Sequence, residues 1–157
     1  MRVAVLTISD SVSSGRAADG SGPAVVARCQ QLAWSIVSTA VCADDRAAIE
    51  LFLTETADSH DVDLILTTGG TGLGPRDVTP EATAAVVDRL IPGFAEQMRA
   101  AGAQKTPRAI LSRGAAGIRG KAIIINLPGS PQGAVESLDV IADLLPHAVS
   151  IVHGAKH

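Results

Sequence analysis

The chain has 157 residues, a formal net charge of −3, 46% hydrophobic residues and only 2% aromatic ones. Its length is that of one α/β domain, whose core has to be built from Val, Ile, Leu and Ala. With no basic tract and almost no aromatic surface for base stacking, it is not expected to bind nucleic acid. Charged residues interrupt every apolar run well short of membrane-spanning length, so no membrane segment is expected. Met1-Arg2-Val3-Ala4-Val5-Leu6 leads straight into a strand without a signal-peptide layout. Cys29 and Cys42 make neither a C-x-x-C pair nor a disulfide framework. These features predict a cytoplasmic protein with reduced thiols.

Val3 to Ile8 is apolar on both faces, as a central parallel strand requires. The polar stretch Ser9-Asp10-Ser11-Val12-Ser13-Ser14-Gly15 follows at its carboxyl end, the edge where open α/β sheets bind ligands. Taken alone, it is equally a plain hydroxyl-rich loop. Gly20-Ser21-Gly22 runs into Pro23, so it is no dinucleotide fingerprint; Pro23 is expected to open a helix reaching Leu32. Trp34 to Val41 reads as a second strand. Asp44 or Asp45 would N-cap the helix after it, which carries Ile49, Leu51, Phe52 and Leu53. Capping accounts for one of these aspartates, not for both.

The apolar run Val62 to Leu66 feeds the most informative stretch, Thr67-Thr68-Gly69-Gly70-Thr71-Gly72-Leu73-Gly74-Pro75-Arg76-Asp77-Val78-Thr79-Pro80-Glu81-Ala82. Thr79 as N-cap and Pro80 as first helical residue predict a helix start at its far end. Glycines let successive backbone N–H groups converge on an anion and let the ligand approach closely. Pro75 after Gly74 excludes a Walker A loop, and the Rossmann spacing fails at the same residue. Asp77 is out of place beside a phosphate unless a cation such as Mg²⁺ lies between them. The alternative is that Asp77 merely caps a turn.

The next helix is predicted to turn Ala84, Val87 and Leu90 towards the core and to break at Pro92-Gly93. A second helical piece covers Phe94 to Ala101, and Thr106-Pro107 opens the segment that ends in Ser112-Arg113. That pair is either an anion contact or ordinary surface. Gly114, Gly117 and Gly120 predict a loop before a strong strand, Lys121 to Leu127. Asn126-Leu127-Pro128-Gly129-Ser130-Pro131 repeats the strand-to-helix design, with Ser130 as N-cap and Pro131 first in the helix. The last helical stretch extends to about Val152, kinked at Pro146; His153 and His157 read as tail residues rather than metal ligands. Three strand ends, near Ser9, Thr68 and Leu127, thus give way to Gly/Ser loops that a parallel sheet gathers on one rim. Asp44 and Asp77 should open towards that rim, which suggests a ligand with more than one phosphate, held with Mg²⁺.

Thr68-Gly69-Gly70-Thr71-Gly72 followed by Arg76-Asp77-Val78-Thr79-Pro80-Glu81-Ala82 resembles the signature of the MogA/MoaB family of molybdenum-cofactor proteins. The Ser9-Asp10 and Ser14-Gly15 pairs, Pro92 to Arg99, and Leu127-Pro128-Gly129-Ser130-Pro131 extend the resemblance over nearly the whole chain. It implies a single three-layer α/β domain, 1–157, with a mostly parallel sheet and helices on both faces. It implies transfer of AMP from ATP onto the terminal phosphate of molybdopterin, releasing pyrophosphate. By the same resemblance, Asp44 and Asp77 would be catalytic and hold Mg²⁺ with ATP, with Asp45 as the competing choice for Asp44. Thr68, Gly69, Gly70, Thr71 and Gly72 would cradle phosphate. Ser9, Asp10, Ser14, Gly15, Ser112, Arg113, Pro128, Gly129 and Ser130 would line the molybdopterin pocket. The implied partners are molybdopterin and ATP, a homotrimer, and a molybdenum-insertion protein that takes the product. The alternatives are a non-catalytic molybdopterin-binding relative or a generic nucleotide-binding module.

Overall fold

A computed structural model describes residues 1–155; His157 lies outside the described residues. The chain runs β1 (Arg2–Ile8), α1 (Asp10–Ser13), α2 (Ser21–Gln31), β2 (Ser35–Cys42), α3 (Arg46–Asp58), β3 (Leu64–Thr68), α4 (Thr79–Val86) and β4 (Arg89–Leu90). It continues through α5 (Pro92–Ala103), a 3-10 turn (Pro107–Leu111), β5 (Ala116–Arg119), β6 (Ala122–Leu127), α6 (Pro131–Ile141), a second 3-10 turn (Ala142–Leu144) and α7 (Leu145–Val152). The strands form one sheet in the order β2-β1-β3-β6-β5-β4. The pairs β2–β1, β1–β3 and β3–β6 are parallel; β6–β5 and β5–β4 are antiparallel.

The strand pleat sorts the apolar residues into two layers. Val3, Val5, Leu64, Leu66, Ile123, Ile125 and Leu127 face one side, where α2, α5, α6 and α7 supply Val25, Phe94, Met98, Leu138 and Leu145. Ala4, Leu6, Ile8, Ile65 and Ile124 face the other, under Ile49 and Leu53 of α3 and Ala82 and Val86 of α4. The central strands are therefore apolar on both faces, as expected. β2 alternates between half-buried and exposed residues because it is the sheet edge.

Several local expectations are corrected. α2 begins at Ser21, two residues before Pro23, because the Asp19 carboxylate accepts the Gly22 N–H at 2.9 Å and starts the turn there. Thr79 is the first helical residue of α4, not its N-cap; its hydroxyl instead donates to the Gly69 carbonyl at 2.9 Å. α4 ends at Val86, since Asp88 N–H donates to Ile118 O and Ile91 N–H to Ala116 O, which turns 89–90 into a strand. Ala84 and Leu90 are exposed; the buried positions are Ala82, Thr83 and Val86. The stretch read as a glycine-punctuated loop contains β5, in which a Cβ on Gly117 would come within 2.8 Å of both the Val87 side chain and the Arg89 carbonyl.

The carboxyl ends of β1, β3 and β6 lie side by side, as the three-loop expectation requires. Gly69 sits between the other two ends at φ +110. A Cβ there would overlap the Ile8 carbonyl oxygen, and a Cβ on Gly129 would lie 3.2 Å from the Gly69 Cα. Gly69→Ala is expected to lose at least the ~1–3 kcal/mol that such backbone strain costs, before any clash is relieved. Chemical denaturation checks this; a change below about 0.5 kcal/mol, typical of neutral surface substitutions, would contradict the close packing.

Candidate active site

The site is assembled where β1, β2 and β3 end. Ser9 continues β1 into α1: its N–H donates to Cys42 O at 2.9 Å, and its hydroxyl accepts the Val12 N–H at 3.3 Å. Ser14 is bonded within the same loop, donating to Ser11 O and accepting from Arg16, and Gly15 takes the left-handed φ of +75. The two aspartates after β2 divide the work that the sequence left open. Asp45 N-caps α3, accepting the Ala48 N–H at 2.8 Å. Asp44 is thereby free of capping. Its Oδ2 accepts the Asp10 N–H at 2.9 Å, and its own N–H donates to Asp10 Oδ1 at 3.1 Å.

Asp44 faces the glycine loop. A Cβ added to Gly70, which has φ +63, would stand 3.0 Å from Asp44 Oδ1. Asp77 lies along the same loop: Oδ2 accepts the Gly74 N–H at 2.7 Å, and Cβ atoms added to Gly72 or Gly74 would sit 2.9 Å and 2.8 Å from it. Asp77 thus does cap a turn, with its second oxygen left over. Thr68 is fully buried, and its hydroxyl donates to Pro128 O at 2.7 Å, tying the loop to the end of β6.

Arg113 is committed to this loop. Its Nε donates to Gly72 O at 2.7 Å, Nη2 to Asp77 O at 2.6 Å, and Nη1 to the Glu81 carboxylate. Its backbone N–H donates to Thr71 O at 2.8 Å. The guanidinium therefore braces the glycine loop from behind and holds the Glu81 carboxyl below its ordinary range.

The residues expected in one molybdopterin pocket do not lie together: Arg113 is committed to the glycine loop, Gly129 packs against Gly69, and the others fall in two groups. Ser112, Pro128 and Ser130 line a cavity of about 270 Å³ between α5, the first 3-10 turn and α6, together with Met98, Arg99 and Asn126. Ser9, Asp10, Ser14 and Gly15 belong instead to the Asp44 side. Asn126 and Arg99, which the sequence reading did not place in a pocket, also line this cavity. The buried Asn126 amide donates to Thr67 and Thr83 hydroxyls, and Arg99 donates to Ser112 O and Gly114 O. An Asn inside an apolar strand is the one signal that pointed to the first; nothing local marked the second.

Three carboxylates, Asp10, Asp44 and Asp77, share this rim. Partial burial, then repulsion from Asp10 and Asp77, raises the Asp44 carboxyl above its ordinary range. Hydrogen bonding from Arg76 lowers that of Asp10. Among the described residues, no group of three or more His, Cys, Asp or Glu side chains is placed to hold a metal by itself. Two all-oxygen side chains across a glycine loop fit Mg²⁺, which takes one or two carboxylates and completes its shell with substrate phosphates and water.

A carboxyl whose folded-state pKa is raised binds its proton more tightly when folded. Its ionised form then costs stability in full above the folded pKa, and the cost is gone below the unfolded one. Asp44→Asn is therefore expected to raise the Tm of the metal-free protein at neutral pH, with the gain shrinking as pH falls into the carboxylate range. A neutral-pH loss of Tm, or a gain independent of pH, would contradict the electrostatic reading.

The chain matches known proteins over nearly its full length. A family model described as a probable molybdopterin binding domain matches residues 4–147. The molybdopterin adenylyltransferase of Helicobacter pylori is 40% identical over 156 residues, 98% of this chain and 89% of that protein. The Escherichia coli K12 protein of the same name is 42% identical over 159 residues, 98% of this chain and 79% of that one. The crystal structure of the molybdopterin biosynthesis enzyme MoaB from Thermus thermophilus superposes with a TM-score of 0.92 at 47% identity, covering 98% of this chain and 97% of the other. With a family model spanning residues 4–147 and relatives matching over nearly the full length, the chain belongs to the MogA/MoaB family of molybdopterin-binding domains.

Proposed function

We propose that the chain is a molybdopterin adenylyltransferase of molybdenum-cofactor biosynthesis, carrying AMP from ATP to the terminal phosphate of molybdopterin. The observation that carries this reading is that Asp44 Oδ1 lies against Gly70, and Asp77 Oδ2 against Gly72 and Gly74, of one glycine loop. A backbone cradle alone suits any phosphate; two carboxylates beside it suit a nucleotide that arrives with a cation. In the reaction, a molybdopterin phosphate oxygen attacks the α-phosphorus of ATP. A new P–O bond forms, the bond to the bridging oxygen breaks, and pyrophosphate leaves with its electron pair.

The glycine loop is held rigid by Arg113 and Thr79, so its N–H groups fix the phosphates in line without reorganising at the moment of transfer. Asp44 and Asp77 would hold Mg²⁺, which when bound offsets phosphate charge and permits approach of two anions. Through Ser112, Pro128 and Ser130, the cavity between α5 and α6 would take the pterin. The Thr68–Pro128 hydrogen bond joins its wall to the phosphate loop, which keeps the two subsites at a fixed distance. The same reading includes a homotrimer, a cytoplasmic location and hand-over of the adenylylated product to a molybdenum-insertion protein. Among the described residues, no helix is long and apolar enough to cross a membrane.

Asp77→Asn keeps an oxygen for the Gly74 N–H and removes the charge. Molybdopterin-dependent pyrophosphate release is expected to fall at least about a hundredfold, about 3 kcal/mol of transition-state stabilisation, with an unchanged melt and intact molybdopterin binding. A folded Asp77→Asn protein of full activity would end the assignment. For the assembly, light scattering should give three times the 16.0 kDa chain mass; a monomer mass at micromolar protein would remove the trimer.

A further inference from the structure

Asp10 and Arg76 have no part in the transfer as described, yet they join the loops after β1, β2 and β3. The Arg76 guanidinium forks onto the Asp10 carboxylate, Nε to Oδ2 at 3.0 Å and Nη2 to Oδ1 at 2.9 Å. Asp10 Oδ1 also accepts the Asp44 N–H at 3.1 Å, while the Asp10 N–H donates to Asp44 Oδ2 at 2.9 Å. Asp10 follows β1, Asp44 follows β2, and Arg76 precedes Asp77 in the loop after β3. One carboxylate thus links the loops after three strands.

Two details separate this arrangement from a chance ion pair. The reciprocal bonds between Asp10 and Asp44 pin Oδ2 of Asp44, and its remaining oxygen, Oδ1, faces Gly70. Both Asp10 oxygens are already engaged, so Asp10 is poorly placed to contact an anionic ligand itself. As a stabilising contact the pair is weak, because the Arg76 side chain is 64% exposed and that of Asp10 36%.

We propose that Asp10 and Arg76 are positioning residues: a strap that turns Asp44 Oδ1 towards the glycine loop and fixes its distance to Asp77. The proposal rests on the adenylyltransferase reading and gives the expected molybdopterin contact Asp10 a different role. The guanidinium matters for its fork, which spans both oxygens at once; a lysine point charge cannot reproduce it. Misorientation of Asp44 would leave ligand binding in the distant α5–α6 cavity untouched and slow only the transfer.

The test compares the parent with Asp10→Ala, Arg76→Ala, Arg76→Lys and the double alanine variant, using the full chain. Each is measured for kcat and KM in AMP transfer and for its melt, and the crystal structure of Arg76→Ala is determined. Each single alanine variant is expected to lose about tenfold or more in kcat, with the KM for molybdopterin and the melt nearly unchanged. Arg76→Lys should recover little, and the double variant should be no slower than the worse single one, since the pair acts as a unit. In the Arg76→Ala crystal, the Asp44 carboxylate should have left its Asp10 N–H. If Asp10→Ala does not fold, Asp10→Asn, which keeps one acceptor, takes its place. Parent-like kcat, additive losses, or a raised molybdopterin KM at full kcat would each overturn the proposal. A parent that transfers no AMP sinks the adenylyltransferase reading alone; the crystal then decides, and an unmoved Asp44 overturns the strap.

Discussion

A β-carbon is forbidden at Gly69, and the rest of the site depends on that. The Ile8 carbonyl occupies the place a side chain would take, and Gly129 presses from the other side. This contact packs the chain after β3 against the ends of β1 and β6. The neighbouring bonds lock it: Gly69 N–H to Leu127 O, Thr68 to Pro128 O, and Thr79 to Gly69 O. Parallel pairing sets the strands side by side, and the missing side chains let the loops close over their ends.

The rim so formed gathers three carboxylates, Asp10, Asp44 and Asp77. The fold answers with two arginines of opposite duty. Arg76 neutralises Asp10 on the solvent side, and Arg113 holds backbone carbonyls of the glycine loop from the protein side. Both cations are committed to these contacts, so in the proposed function the charge of the ligand would be offset by a divalent ion held by Asp44 and Asp77. That division explains why Asp44 keeps an unfavourable environment: a carboxylate already satisfied by an arginine would have little left for a metal.

The fold was legible in the sequence wherever one residue type has one physical meaning. Continuous apolar runs identified β1, β3 and β6 as central strands, and Ser130-Pro131 announced α6 with the cap bond that the structure contains. Errors arose where distant contacts overrule local preference. Thr79 looks like an N-cap, but its hydroxyl finds the Gly69 carbonyl first. Gly117 looks like loop, but its missing side chain makes room for Val87 against β5. For the site, the sequence supplied the glycine loop and both aspartates, and the resemblance supplied their roles. Which of Asp44 and Asp45 caps α3 needed the structure, where Asp45 takes that role. The division between an Asp44 side and a cavity side was invisible, since strand order, not chain order, decides which loops are neighbours.

The central claim is that the glycine loop and its two carboxylates present the α-phosphorus of ATP to molybdopterin. Incubating the protein with molybdopterin, Mg²⁺ and ATP labelled at either the α- or the γ-phosphate tests it directly. The account predicts that α-label appears on the pterin product while γ-label leaves in pyrophosphate. A product carrying γ-label, or no labelled product from folded protein, would contradict it.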